Sequence, residues 1–245
     1  MTFYKKLFMT NQYKTNWEDY WSRLFEDGDT ALWDVPSDLA VADTLLRLKR
    51  SFDSTLPLID FGCGNGTQTF FLAEYFSTII GVDVAKSAIK QAQANNSFPN
   101  LSFEVLDGMD EAEVQAFSSK IGDANIYMRG ILHQISAKDR PTIIKSLQTL
   151  MGKKGGLYLS ELSPKAKTLF EDLARETGTL PPQLARVYQH GIEPAEISPE
   201  EIRNSFLNNK YAIAEAGEIS IVTNHILPNG DRLQVPAFYM LIKPI

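Results

Sequence analysis

The period of apolar and polar positions changes repeatedly along this chain, and each change marks an element. Trp17, Tyr20, Trp21, Leu24 and Phe25 recur at helical spacing within residues 16–34, which predicts an amphipathic helix. Residues 1–15 before it are expected to form a mobile arm. Pro36 to Arg50 predicts a second helix carrying Leu39, Ala42, Leu45, Leu46 and Leu48. Short apolar runs then alternate with helical stretches. LPLID leads to TQTFFLAEYF, and STIIGVD leads to a further helix start. LSFEV and ANIYMRGILHQI are the third and fourth strands. Ser136 is a candidate cap for KDRPTIIKSLQTLM, which GKKGG ends before a fifth strand, GLYLSEL. Such alternation through residue 160 predicts a parallel sheet. From Ser163 to Ile197 the pattern changes to a polar helix, KAKTLFEDLARE, then Gly178, Pro181, Pro182 and LARVYQHGIEP. This is longer than an ordinary crossover and reads as an insertion. Ser198-Pro-Glu-Glu201 predicts a capping box opening a short helix, EEIRNSFLNNK. Two strands close the chain, YAIAEAGEISIVT and VPAFYMLIKPI, around Pro228, Asn229 and Gly230. No internal repeat or low-complexity segment interrupts the pattern.

The first strand empties into IDFGCGNGT, Ile59 to Thr67. Glycines are required where backbone turns sharply or lies against a ligand. The helix that follows offers free N–H groups to an anion. Strand, Gly-rich turn and helix start form the nucleotide cradle of a doubly wound sheet. A dinucleotide fingerprint reads G-x-G-x-x-G, whereas this turn reads G-C-G-N-G after Asp60 and Phe61. In that form it resembles motif I of the class I S-adenosylmethionine (SAM) dependent methyltransferases. Asp83 at the end of the second strand, and Asp107-Gly108 after the third, extend the resemblance over about residues 55 to 160. The terminal hairpin belongs to the same family pattern and not to dehydrogenases. The implied fold is α/β: a doubly wound, mostly parallel seven-stranded sheet with a C-terminal antiparallel hairpin. One domain, 1–245, would comprise an N-terminal helical lid (1–50), a SAM-binding core (51–162), a cap insertion (163–197) and a C-terminal helix and hairpin (198–245).

The resemblance implies SAM as cofactor and S-adenosylhomocysteine (SAH) as product, with no metal. Asp60 would reach the methionine ammonium group while also capping the turn. Asp83 would take the ribose hydroxyls, and Asp107 and Gly108 would meet adenine. Gly62, Cys63, Gly64, Gly66 and Val84 would complete the cofactor cradle. A finer similarity is to the thiopurine S-methyltransferase and halide/thiol methyltransferase family. It rests on Trp17 and Trp21, Gly28-Asp-Thr30, Leu32-Trp33 and Arg129-Gly130. It implies that Trp21 and Arg129 also serve the cofactor and that residues 17–34 fold over it. The sequence departs from that family at Met128, at Asp83 and in the length between Trp21 and Gly28.

Composition narrows the classes. At 245 residues and 44% hydrophobic, the chain can bury a full core. Its net charge of −6, without a basic block, argues against a nucleic-acid grip, and ANIYM lacks the N-P-P-Y type signature used on flipped bases. The single cysteine, Cys63, excludes internal disulfides and a cysteine zinc cluster, and it reads as turn filler rather than nucleophile. The N-terminus is too polar for a signal peptide, and no apolar run approaches ~18 residues, so a cytoplasmic protein without membrane contact is expected.

Candidates for chemistry are few. Trp33 and His133 are placed to line an acceptor pocket. His133 is either a general base or a side chain that holds its loop, and the second reading is preferred. Arg129 and Glu161 are further catalytic candidates, and Asp34 is a third carboxylate or imidazole able to take a proton. Glu161 is alternatively a polar residue facing a helix. His190 and His225 read as lone loop histidines, without metal-ligand spacing. A methyltransferase acting on a small molecule is the leading expectation. A non-catalytic SAM/SAH-binding module and a dinucleotide-dependent oxidoreductase are the alternatives.

Overall fold

The computed structural model describes residues 2–206 and 210–245. Helices α1 (Thr2–Glu26) and α2 (Ser37–Ser51) precede β1 (Leu58–Phe61), α3 (Thr67–Leu72), β2 (Ile79–Asp83), α4 (Lys86–Asn95) and β3 (Leu101–Val105). Then come α5 (Glu111–Ile121), β4 (Asn125–Arg129), α6 (Arg140–Met151) and β5 (Leu157–Leu162). The chain continues through α7 (Lys165–Thr177), α8 (Pro182–Gln189), α9 (Pro199–Phe206), β6 (Tyr211–Ile226) and β7 (Arg232–Pro244). Within the described residues the strands form one sheet in the order β3-β2-β1-β4-β5-β7-β6. The first five are parallel, while β7 pairs antiparallel with both β5 and β6.

The order reverses beside β1, and that placement creates the site. Crossovers from β1 run to one side of the sheet and those from β4 to the other. The carboxyl ends of β1 and β4 are therefore left without a covering helix, and a crevice opens between them. Central strands β1 and β2 are buried along their whole length. Such strands read as continuous apolar runs because helices cover both faces. One face is packed by Ile59, Phe61, Met128 and Leu159 against α5 and α6, and the other by Leu58, Tyr127, Tyr158 and Tyr239 against α2 and α3.

Several predicted boundaries move. The expected arm at 1–15 is helical from Thr2, continuous with the Trp-rich segment; Met1 lies outside the described residues. From Tyr13 onward the helix is held by contacts far along the chain, for the Tyr13 hydroxyl donates to Asp139 at 3.0 Å. The Trp helix stops at Glu26, and 27–36 is turn, so Trp33 sits on a loop. On α2 the buried stripe is Val41, Leu45 and Leu48, while Leu39 (51% exposed) and Leu46 (69%) face outward. The true stripe follows i, i+4, i+7, which the many leucines of this helix obscure.

Capping shows why local signals mislead. Ser136 does not cap α6; its hydroxyl donates to Asp139 at 2.7 Å, and the helix starts at Arg140. Ser198 does cap α9, accepting from the Glu201 N–H at 3.2 Å. The return arm of that box is missing, because the Glu201 carboxylate is taken by Arg140 at 2.6 and 2.8 Å. The fourth strand ends at Arg129, and Leu132–Gln134 is a 3-10 turn. Residues 207–209 of the expected last helix lie outside the described residues.

Candidate active site

The Gly-rich turn places the first functional groups. Gly62 and Cys63 donate N–H groups to the Val82 carbonyl at 2.8 and 3.0 Å, which ties the turn to β2. The Gly64 N–H donates to Asp83 Oδ2 at 2.9 Å, and the Ala85 N–H donates to Oδ1 at 2.9 Å. Asp83 is thus held by backbone on both oxygens while its remaining lone pairs face a cavity. Burial raises its pKa to about 6, against the opposing pull of those N–H groups.

Asp60 is different. It is 4% exposed, and its Oδ2 accepts one hydrogen bond, from Thr69 Oγ1 at 2.6 Å. Burial drives its pKa to about 7, and Arg129 acts on it only through space, as the smallest influence. A buried carboxylate without a contacting cation is costly unless something positive arrives. Asp107 closes the cradle, with Oδ1 accepting the Met109 N–H at 2.9 Å and its pKa raised by burial.

One cavity joins these groups. Asp60, Gly62, Cys63, Asp83, Val84, Asp107, Gly108, Arg129, Trp21, Trp33 and His133 all line it. Three predicted residues do not. Gly64 is covered by Trp21: a Cβ on Gly64, whose φ is +55°, would lie 2.6 Å from Trp21 Cζ2. The same test puts a Gly66 Cβ 2.6 Å from Phe103 Cζ. Both glycines make room for protein side chains rather than ligand.

Glu161 is the third. It is fully buried, and its oxygens accept the N–H groups of Ile131, Leu132 and His133 at 3.0, 2.8 and 3.2 Å. Oε2 also meets His133 Nδ1 at 2.7 Å. All of its capacity is spent on shaping the turn after β4, so it is not a base for an acceptor. His133 is held on its other side by Gln134, whose amide nitrogen lies 2.8 Å from Nε2. The alternative of a loop-holding histidine is the one the contacts support.

The lid loop is tied to the cradle. Asp34 accepts from Asn65 Nδ2 at 2.7 Å and lines the cavity. Tyr20 stacks on Trp33 at 5.9 Å, and Trp21 meets Trp33 edge-on at 6.3 Å. His190 bridges to Asp19 at 2.8 Å and packs edge-on against Tyr20. Cys63 is half-buried, and desolvation pushes its thiol well up, so it stays a thiol.

Arg140 was not singled out in the sequence. It is 3% exposed, donates to the carbonyls of Leu132, Ile135, Ala195 and Glu196, and pairs with Glu201. It pins the turn after β4 to the segment before α9. Nothing in RPTIIKSL marks it, because its partners are four carbonyls and a carboxylate that only the fold assembles. Asn65, Gln134 and Asn224 were missed for the same reason.

The sheet order, the carboxylates on β1, β2 and after β3, and the antiparallel hairpin define a class I SAM-dependent methyltransferase. The chain belongs to the methyltransferase domain family, whose model matches residues 52–209. It is similar to a SAM-dependent methyltransferase of Anabaena variabilis, 39% identical, with a TM-score of 0.91 over 95% of both chains. An uncharacterized methyltransferase of Schizosaccharomyces pombe is 28% identical over 141 residues, 56% of this chain. This chain spans about half the length of that curated relative, 50%. The magnesium protoporphyrin IX methyltransferase of Synechocystis PCC 6803, solved with bound SAH, shares the fold at 18% identity, with a TM-score of 0.58 over 97% of this chain and 98% of that one. Among the described residues no helix is long and apolar enough to cross a membrane, and no group of three or more His, Cys, Asp or Glu could hold a metal.

Proposed function

We propose that this methyltransferase acts on a small, mainly apolar acceptor. The observation that carries the reading is the continuity of one cavity. It runs from the cofactor carboxylates to a chamber walled by Trp33, Leu162, Phe170, Leu184, Val187 and Val235. Pockets for small ligands have this composition, apolar walls with a few placed polar groups. The chamber takes its walls from the N-terminal lid and the 163–197 segment, which act as lid and cap within a single domain.

SAM, when bound, supplies a methyl group on a positively charged sulfur for in-line displacement. The residues present fit it. Asp60, which has no cation in contact, would take the ammonium group. Asp83 would present lone pairs to the ribose hydroxyls, and Asp107 with Gly108 would border adenine. Val84, Gly62 and Cys63 line the same half, with Trp21 across from them. The aromatic wall of Trp17, Trp21 and Trp33 keeps water from the transfer and faces a cation favourably. Orientation in a dry pocket contributes up to roughly 7–11 kcal/mol of barrier reduction. Glu161 and His133 contribute by fixing the turn that floors the chamber. With both engaged in that task, an acceptor that needs no strong base is favoured, such as a thiol, a halide or an oxygen already ionised.

Turnover of labelled SAM against thiols, phenols, amines, halides and carboxylates tests the proposal. Methylation of one class, lowered by Trp33→Ala, is the expected result. Transfer only to protein or nucleic acid, with none to small acceptors, would overturn it.

A further inference from the structure

Arg129 is the only lysine or arginine among the described residues that line the cavity, whose acceptor end is otherwise mainly apolar, with Thr223, His133 and Gln134 among its other polar side chains. Arg129 ends β4 and is half-buried. A guanidinium has five N–H donors. Arg129 places two of them, each long: Nη1 to the Trp33 carbonyl and Nη2 to the Val222 carbonyl, both 3.5 Å. No carboxylate among the described residues pairs with it. The contrast is Arg140, which satisfies its guanidinium with four carbonyls and the Glu201 carboxylate. A cation so loosely held beside apolar walls carries a desolvation cost that a partner would offset.

Its direction matters. Val222 belongs to β6, the edge strand beyond β7 and β5, whereas Asp60 and Asp83 lie on β1 and β2 and Asp107 follows β3. Arg129 therefore spans the lid loop at Trp33 and the hairpin at Val222, makes no hydrogen bond or ion pair with the three carboxylates, and acts on Asp60 only through space.

We propose that Arg129 is the receptor for a carboxylate on the acceptor, so that the substrate class is a small hydrophobic acid. This rests on the small-molecule reading above. The planar fork of arginine matches a carboxylate with two parallel hydrogen bonds. One guanidinium balances one negative charge; a phosphate dianion would leave a second charge uncompensated against apolar walls. This assignment replaces the cofactor role expected for Arg129.

The test uses the full chain saturated with SAH. Calorimetry compares three acids, phenylacetate, 4-phenylbutyrate and decanoate, with their primary amides. At least one acid should bind about tenfold or more tighter than its amide, the scale of a charge-assisted hydrogen bond. Arg129→Met should bring that pair within about twofold, and Arg129→Lys should restore part of the preference. SAH affinity of Arg129→Met should stay within about threefold of the parent. Acids and amides binding equally well to the parent would overturn the carboxylate receptor while leaving the small-molecule chamber standing. Binding of neither would remove both. A preference surviving in Arg129→Met, or loss of SAH binding in that variant, would return Arg129 to another role.

Discussion

The two ends of the cavity are built from different materials. At the cofactor end, three carboxylates lie on or just after consecutive strands, and backbone N–H groups hold two of them: Asp83 by Gly64 and Ala85, Asp107 by Met109. At the acceptor end, side chains from α1, the 27–36 loop, α7, α8 and the hairpin converge, and side-chain contacts hold them. Backbone-built sites depend on a short run of residues. Side-chain-built sites depend on how distant segments dock. The cofactor end should therefore respond to changes locally, and the acceptor end through stability of the whole assembly.

The largest effect should come from the acceptor side. Arg140→Met removes the buried partner of an ion pair whose Glu201 is 38% exposed, and leaves four carbonyl partners without their donor. It should cost about 3–5 kcal/mol, read as a lowered midpoint in urea. If SAH-saturated and free variant lose the same amount, Arg140 serves the architecture rather than the cofactor end. A loss below ~1 kcal/mol would show that the docking of the turn after β4 is carried elsewhere.

Asp83→Ala should act at the other end. SAH binding should weaken by roughly 1.5–3 kcal/mol, with 2′-deoxy SAH losing less. Because Asp83 also accepts from Gly64 and Ala85, the fold should lose about 1–3 kcal/mol as well. A purely ligand-facing carboxylate would leave stability unchanged, so the free variant's Tm decides between the two.

The pH dependence of Asp60 is next in size. Its folded pKa, about 7, lies above its ordinary value of 3.8, so the folded free protein holds the extra proton between them. Stability from this group is greatest below pH 4 and declines as pH rises toward 7. Asp83, raised to about 6, acts in the same direction. SAH brings an ammonium group that favours the ionised form. Its affinity should rise about tenfold, ~1.4 kcal/mol, from pH 6 to pH 8, with proton release on binding near pH 6. Flat affinity over that range, or retention of the slope in Asp60→Asn, would remove Asp60 from the ammonium site.

Trp33→Ala should have the smallest effect on stability. Trp33 is half-buried on a loop, so its truncation should cost less than the ~3–5 kcal/mol of a core aromatic, while acceptor turnover falls more than SAH affinity. Hydrogen exchange in 17–34 should slow when SAH binds. Full protection in the free protein would make that segment fixed wall rather than lid.

Much of the cofactor end was legible in the chain. A strand, a Gly-rich turn and a helix start are contiguous, and Asp83 and Asp107 follow apolar runs at their ends. These signals are local because hydrogen bonds between turn and strand end require only neighbouring backbone. Even there, the reason for Gly64 was not legible, since the ring that presses on it comes from Trp21 on α1. Glu161 was read as a possible base because its strand position allowed it. Only the sheet register and the turn after β4 show its four hydrogen bonds already committed.

The sequence by itself determined the order of strands and helices, the parallel sheet with its closing hairpin, and the three carboxylates of the cofactor end. Periodicity and turn chemistry act within a few residues, and that range suffices for them. Tertiary structure alone decided that Arg140 would be saturated and Arg129 left loosely held, although both are arginines near one end of β4. A donor's partners are set by which carbonyls other segments bring within about 3 Å, and no pattern along the chain encodes that distance.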